Sequence, residues 1–186
     1  YYSDTYENKV RTFCMNPGGE VSQEYYEGGI AVVNGHSYED AAKRTGNTNF
    51  ALLVSTRFTE PFDQPIAYGR YIAELGNMLT GGPIMVQRLG DLLKGRRTDA
   101  TRLAKSTTIP TLSTAVPGDL SFVLPARHLT SIVEALRAFD HLAPGLYSQN
   151  TLLYGVEVKF YSSKVLVDNN FETAIKGLFT VGDGAG

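Results

Sequence analysis

The residues most able to do chemistry stand together at the C-terminal end of the sequence, in Thr173-Ala174-Ile175-Lys176-Gly177-Leu178-Phe179-Thr180-Val181-Gly182-Asp183-Gly184-Ala185-Gly186. Residues 177–181 carry apolar side chains toward both faces, which predicts a short buried strand. A strand fixes the position of its own end. The glycines behind it let backbone N–H groups approach a phosphate with no Cβ in the way. A helix starting beyond them would turn its positive N-terminal end to the same phosphate. Asp183 can accept hydrogen bonds from sugar hydroxyls. The plain alternative is a glycine-rich turn, because a bare Gly-x-Gly is a weak signal.

A second set of candidates lies near the other end. Cys14 is either a redox thiol or, more commonly for this residue type, a buried inert one beside Phe13 and Met15. Pro17-Gly18-Gly19 is either a tight turn or a place where backbone passes close to a flat ring. His36 follows the turn signal Asn34-Gly35 and reads as a surface histidine rather than a general base. Asn47 and Asn49 flank a strand start, where asparagine caps turns or faces a substrate. Lys94, Arg96, Arg97, Arg102 and Lys105 cluster within twelve residues, with no aromatic interleaved, and read as a solvated loop. His36, His128 and His141 lack partners at metal-ligand spacing. Neither a P-loop nor a Gly-x-Ser-x-Gly elbow is present.

The elements that must hold these residues follow from periodicity and turn signals. Residues 11–54 read as β-rich. Apolar runs at 30–33 and 50–54 are separated by Pro17-Gly18-Gly19, Gly28-Gly29, Asn34-Gly35 and Gly46-Asn47. Tyr68, Ile72, Leu75 and Leu79 predict a helix stopped by Gly81-Gly82-Pro83. Val86, Leu89, Leu92 and Leu93 predict a second, ended by Gly95. Residues 96–118 read as irregular. Leu129, Ile132, Val133, Leu136 and Phe139 predict a third helix, with Ser131-x-x-Glu134 as its capping box and Pro144-Gly145 closing it. In 154–161 the apolar Tyr154, Val156, Val158 and Phe160 alternate with small or charged residues, a half-buried strand. Ser162–Lys164 would turn it into 165–168 as a hairpin.

Bulk properties narrow the function classes. The chain has 186 residues, 42% hydrophobic and 19% charged, with a formal net charge of −2. That is an ordinary globular composition with no reason to bind nucleic acid. Its one cysteine excludes an internal disulfide and suits a reducing compartment, so a cytoplasmic location is expected. No apolar run approaches the roughly 18 residues of a membrane span, and no signal peptide is visible at the start.

Two resemblances give these patterns a frame. Thr-x-x-x-Gly-Leu-Phe-x-x-Gly-Asp-Gly-Ala-Gly resembles the C-terminal FAD-contacting motif of flavoproteins with two dinucleotide-binding domains. The resemblance implies that Gly182, Asp183, Gly184, Ala185 and Gly186 meet the ribityl and phosphate region of FAD. Phe13-Cys14-Met15-Asn16-Pro17-Gly18-Gly19, Asn34-Gly35-His36-Ser37 and Asn47-Thr48-Asn49-Phe50-Ala51-Leu52-Leu53-Val54 are similar, in order and spacing, to a family of FAD-dependent dehydrogenases of unassigned substrate. Gln87-Arg88-Leu89-Gly90-Asp91, Pro144-Gly145 and Gly155-Val156-Glu157-Val158-Lys159 extend that similarity over nearly the whole chain. Two positions depart from it: Asn16 stands where many relatives have a second cysteine, and His36 where methionine is expected. The first departure weakens any Cys-x-Cys redox pair or metal site.

The expected fold class is α+β, a mixed or antiparallel β layer with two or three helices. Residues 1–168 are expected to form a domain inserted in an FAD-binding flavoprotein, covering the flavin and shaping the site of a small-molecule substrate. Cys14, Pro17, Gly18, Gly19, Asn47 and Asn49 are its substrate-side candidates. Residues 169–186 are expected to give the last strand and turn of the FAD-binding sheet. The chain opens at Tyr1 and stops inside the glycine turn. It is therefore read as an internal piece of an FAD-dependent oxidoreductase, without the Gly-x-Gly-x-x-Gly half and inactive by itself. The competing reading is a non-enzymatic binding module sharing the insertion's fold.

Overall fold

A computed structural model describes residues 1–159 and 165–182. The chain divides into two compact units, Tyr1–Arg57 with Arg70–Val158, and Phe58–Gly69 with Lys159–Gly186.

The first unit is built on short β-sheets and helices. Strand β1 (Val10–Pro17) pairs antiparallel with β4 (Thr48–Val54). Strand β2 (Glu20–Tyr26) pairs antiparallel with β3 (Ile30–His36) through a turn in which Gly28 and Gly29 both have positive φ. The third sheet has the order β6-β5-β7, from Val116–Pro117, Met85–Arg88 and Leu152–Gly155, with β5–β6 parallel and β5–β7 antiparallel. Helix α1 spans Pro65–Thr80, its first residues falling in the second unit. One-turn helices α2 (Leu89–Leu92) and α3 (Ala100–Ala104) precede the long α4 (Ala126–Asp140). The α+β expectation holds.

Strand β3 is apolar on both faces because both are covered. Ile30 and Val32 pack with Ala73 of α1, while Ala31 and Val33 pack with Ile84. Burial of this kind supplies roughly 1.5–3 kcal/mol per large aliphatic side chain. A helix side chain completes the edge of the strand. Ala31 N–H donates to Asn77 Oδ1 at 2.7 Å, and Asn77 Nδ2 donates to Ala31 O at 3.0 Å. Ile72, Met85, Leu120, Val123 and Val156 form the other main cluster, with Leu129 of α4 packed on it.

Several local readings need correction. Val86 lies in strand β5, and the second helix shrinks to the single turn α2. A short continuous apolar run cannot be told from a buried helix by period alone. Here Ile84 and Val86 are 0% exposed, with strands on both sides. Asn34-Gly35 is not a turn; both residues pair with β2, opposite Ser22 and Val21. Ser131 is not an N-cap. Helix α4 begins five residues earlier, behind Pro125, and Ser131 Oγ donates back to Arg127 O at 2.8 Å. Glu134 instead accepts from Thr5 Oγ1 at 2.5 Å, which lowers its carboxyl below the ordinary value. The half-buried strand ends its ladder at Gly155, although Val156 and Val158 still pack in the core clusters. Residues 96–118 include α3, whose N-cap Asp99 accepts from Arg102 N–H at 2.8 Å.

In the second unit, two carboxylates organise tight turns. Asp168 Oδ1 accepts from the N–H groups of Asn170 and Glu172, at 2.8 and 3.0 Å. Glu172 Oε1 accepts from Gly177 N–H at 2.5 Å. The strand expected over 177–181 does not form. Phe179 makes one isolated bridge to Glu172, and Val181 is 85% exposed. No neighbouring strand runs beside it among the described residues, and a strand without a partner leaves its N–H and C=O groups to water and turns. The hairpin turn expected at 162–164 lies outside the described residues.

Candidate functional site

Backbone pairing gathers three separate stretches of sequence at one end of the first unit. In the β1–β4 ladder Asn16 stands opposite Asn49, and Pro17 opposite Thr48. The turn Pro17-Gly18-Gly19 leads into β2, whose first residue Glu20 stands opposite His36 at the end of β3. Residues 13–19, 34–37 and 47–49 therefore meet, while the rest of β4 runs on to Val54 opposite Val10. Of the substrate-side candidates, Cys14, Pro17, Gly18, Gly19, Asn47 and Asn49 all lie in or beside this assembly.

A bulge shapes it. Between Phe13↔Ala51 and Asn16↔Asn49, β1 advances three residues while β4 advances two. Cys14 and Met15 are both exposed at the bulge, Met15 by 56%. Cys14 adopts φ 50°, a left-handed conformation unusual for a side chain with a Cβ. Its thiol is free and exposed, so the buried inert reading of Cys14 does not hold.

Beneath the bulge lies an amide pair. Asn16 Nδ2 donates to Cys14 O at 2.8 Å and to Asn49 Oδ1 at 2.9 Å. Asn49 Nδ2 is buried and has no hydrogen-bond partner among the described residues. Two glycines leave room for this pair. A Cβ on Gly35 would sit 2.2 Å from Asn49 Oδ1, and one on Gly19 would sit 2.3 Å from His36 O and 2.8 Å from Asn16 Cβ. Gly18 has φ +63°, and the stem of Arg44 covers the space where its Cβ would be. Both glycines of the turn thus serve the chain's own close packing.

Thr45 ties the turn to the Asn47 side. Its N–H donates to Gly18 O at 2.8 Å and its hydroxyl to Gly19 O at 2.5 Å. Its Oγ1 accepts from Asn47 N–H at 3.1 Å. Asn47 Nδ2 donates to Ile109 O at 2.8 Å, and Ile109 is 74% exposed. Arg44 is exposed, its Nε donating to Tyr38 O at 3.2 Å. His36 is exposed, with Nε2 4.0 Å from Glu24 Oε1. Gly182 is exposed with φ +80°, whereas Asp183, Gly184, Ala185 and Gly186 lie outside the described residues.

A polar knot that sequence reasoning passed over holds the stretch 87–102. Asp91 is 1% exposed and accepts from Arg96 Nε and Thr98 Oγ1, each at 2.9 Å, with Arg88 Nη1 at 3.7 Å. Burial pushes its carboxyl up, and those hydrogen bonds with the Arg88 and Arg96 charges more than offset it, leaving it below the ordinary carboxylate value. Gln87, 0% exposed, donates to Arg96 O and accepts from Leu120 N–H. Two of the five residues of the basic cluster are therefore used internally: Arg96 by Asp91, and Arg102 by Asp99 at 3.2 Å. The run Gln87-Arg88-Leu89-Gly90-Asp91 was the available signal.

No group of three or more His, Cys, Asp or Glu side chains among the described residues could hold a metal ion, and no described helix is long and apolar enough to cross a membrane.

The architecture and this glycine- and asparagine-rich cluster are those of an α+β domain. Residues 1–160 match the model of the family described as FAD-dependent protein, C-terminal domain-like, and the chain belongs to that family. It is also similar to an uncharacterized protein of Clostridium beijerinckii (strain ATCC 51743 / NCIMB 8052), 29% identical over 197 residues. That alignment covers 100% of this chain and 36% of the relative, so the chain spans about a third of the curated relative it matches.

Proposed function

We propose that this chain is the substrate-side domain of an FAD-dependent oxidoreductase, with residues 1–168 covering the flavin and residues 169–186 contributing to the FAD-binding part. The observation that carries the reading is the convergence of residues 13–19, 34–37 and 47–49 at one end of the β1–β4 ribbon, in a chain of an FAD-dependent family. The residues present fit a flavin. Exposed Met15 and Ile109 offer apolar surface to a flat ring, and the exposed guanidinium of Arg44 offers a positive charge to its electron-rich edge. The flavin would supply hydride or electron transfer to a small-molecule substrate. The chain's part is to orient the ring, exclude water and set the local charge. Gly182, Asp183, Gly184, Ala185 and Gly186 would hold the ribityl and phosphate region, with Asp183 accepting from hydroxyls.

Two measurements on the full-length protein test this. Its visible spectrum should show bound flavin. Asp183→Ala should weaken FAD binding about 10- to 100-fold, because a hydrogen bond to a charged group contributes roughly 1.5–3 kcal/mol and about 1.4 kcal/mol is tenfold. Asp183→Asn should do less harm. Asp168→Ala should loosen its own turn and leave FAD affinity unchanged. A colourless full-length protein, or Asp183→Ala with normal FAD affinity, would remove the corresponding part of the assignment.

A further inference from the structure

The bulge in β1 shifts the ladder by one residue between Phe13↔Ala51 and Asn16↔Asn49, with regular pairs on either side. Its effect is local. Two consecutive residues, Cys14 and Met15, stand exposed at the bulge, where the ladder leaves them without Cα partners on β4. Both are sulfur side chains, soft and polarizable. The left-handed φ of Cys14 is held in place by Asn16, whose amide binds the Cys14 carbonyl with one N–H and Asn49 with the other. Asn49 keeps its position because Gly35 has no side chain to displace it. Four residues from three strands and a turn, Asn16, Gly19, Gly35 and Asn49, thus support one exposed pair. Strained backbone braced by its surroundings is a recurrent feature of ligand-contacting segments.

We propose that Asn16 and Asn49 are positioning residues that hold the Cys14–Met15 bulge outward as the segment of this domain that touches the flavin ring. The inference rests on the flavin reading above and adds which residues make the contact and which aim it. It asks no covalent or redox step of the Cys14 thiol. The two amides have unequal roles. Asn16 must donate, because its partners are a carbonyl oxygen and an amide oxygen. Asn49 need only accept, because its Nδ2 has no partner among the described residues. Asn49→Asp therefore keeps the brace and Asn16→Asp removes it.

The test uses the full-length protein, FAD-loaded and FAD-depleted, with iodoacetamide as the probe and peptide mass spectrometry reading modification at Cys14. Cys14 should be alkylated at least tenfold more slowly in the loaded protein. Asn16→Asp should bring the loaded rate back toward the depleted one and shift the flavin's visible absorption. Asn49→Asp should match the wild type in both readouts. Gly35→Ala, which displaces the Asn49 amide without adding charge, should behave as Asn16→Asp does, and guards against an Asn16 variant that fails to fold. Equal alkylation with and without bound FAD would overturn the contact, and like behaviour of Asn16→Asp and Asn49→Asp would overturn the positioning role. In both cases flavin absorbance would still stand, so the flavin reading would survive; absence of flavin absorbance in the wild type would overturn both.

Discussion

Replacing Asp91 by alanine should destabilise the first unit far more than any surface charge change. The carboxylate is 1% exposed, and its three cationic or hydroxyl partners differ in how well water can replace it. Arg96 is 44% exposed, so its guanidinium regains hydration cheaply. Thr98 is 0% exposed and Arg88 only 15%, so the hydroxyl and the second guanidinium are left short of a partner inside the protein. Breaking a buried pair from one side costs about 3–5 kcal/mol. Because Arg96 recovers and Arg88 keeps bonds to Arg102 O and Asn150 Oδ1, the lower end, about 3 kcal/mol, is expected. For a chain of this length that lowers Tm by roughly 6–12 °C, read by calorimetry or circular dichroism at pH 7. The pH dependence follows from the lowered carboxyl. A depressed folded-state pKa contributes stability above the unfolded value, about 3.8, which is lost as pH falls through the folded value. The gap between wild type and Asp91→Ala should stay constant from pH 7 to 5 and narrow below about 3.8. A loss under about 1 kcal/mol, or a gap that fails to narrow in acid, would refute the reasoning.

Asn77→Ala should cost about 2–3 kcal/mol in urea unfolding, because it orphans both backbone groups of Ala31, which is 1% exposed; Asn77→Leu, of similar size, should not recover it. His128 carries a pKa pushed below the ordinary value, first by burial and then by neighbouring Arg127, and its Nε2 lies 2.8 Å from Thr56 Oγ1. A histidine more easily protonated in the unfolded chain withdraws stability as pH falls below about 6.5. Melting temperature of the wild type should therefore drop between pH 7 and 5, and the drop should be smaller in His128→Gln; equal drops would show that His128 does not carry it.

Much of the fold was legible because local and global preferences agreed. Ile30–Val33 and Phe50–Val54 are β-branched or apolar runs between glycine turns, and they became β3 and β4. The stripe Leu129–Leu136 gave α4, because a 15-residue helix samples its period enough times to be unmistakable. The errors arose where a segment's partner decides its state. Ser131-x-x-Glu134 satisfies the capping-box pattern, yet the helix had already started at Ala126, and both side chains were taken by the N-terminal segment: Asn8 Nδ2 donates to Ser131 Oγ at 3.1 Å, and Thr5 bonds Glu134. Those contacts span 123 and 129 residues, beyond the reach of any local pattern.

The candidate site shows the same division. Its residue types were readable, since glycines and asparagines stand out wherever backbone must turn or pass closely. Their arrangement was not. Gly35 looked like half of an Asn-Gly turn, because Asn-Gly is the strongest short hairpin signal. Its actual use is steric: it lets β3 run beside the Asn16–Asn49 pair, and that requirement is set by a residue fourteen positions away in sequence. Residues 177–181 make the converse case. Their side chains suit a strand buried on both faces, but side-chain pattern states only what a segment could bury. The ladder depends on a neighbour, and the one bridge from Phe179 leaves Leu178 half exposed and Val181 almost fully so. Apolar residues so placed keep their tendency to be covered, so the strand character read from the sequence and the turns seen in the structure are compatible properties of one segment, separated by the presence of a pairing edge.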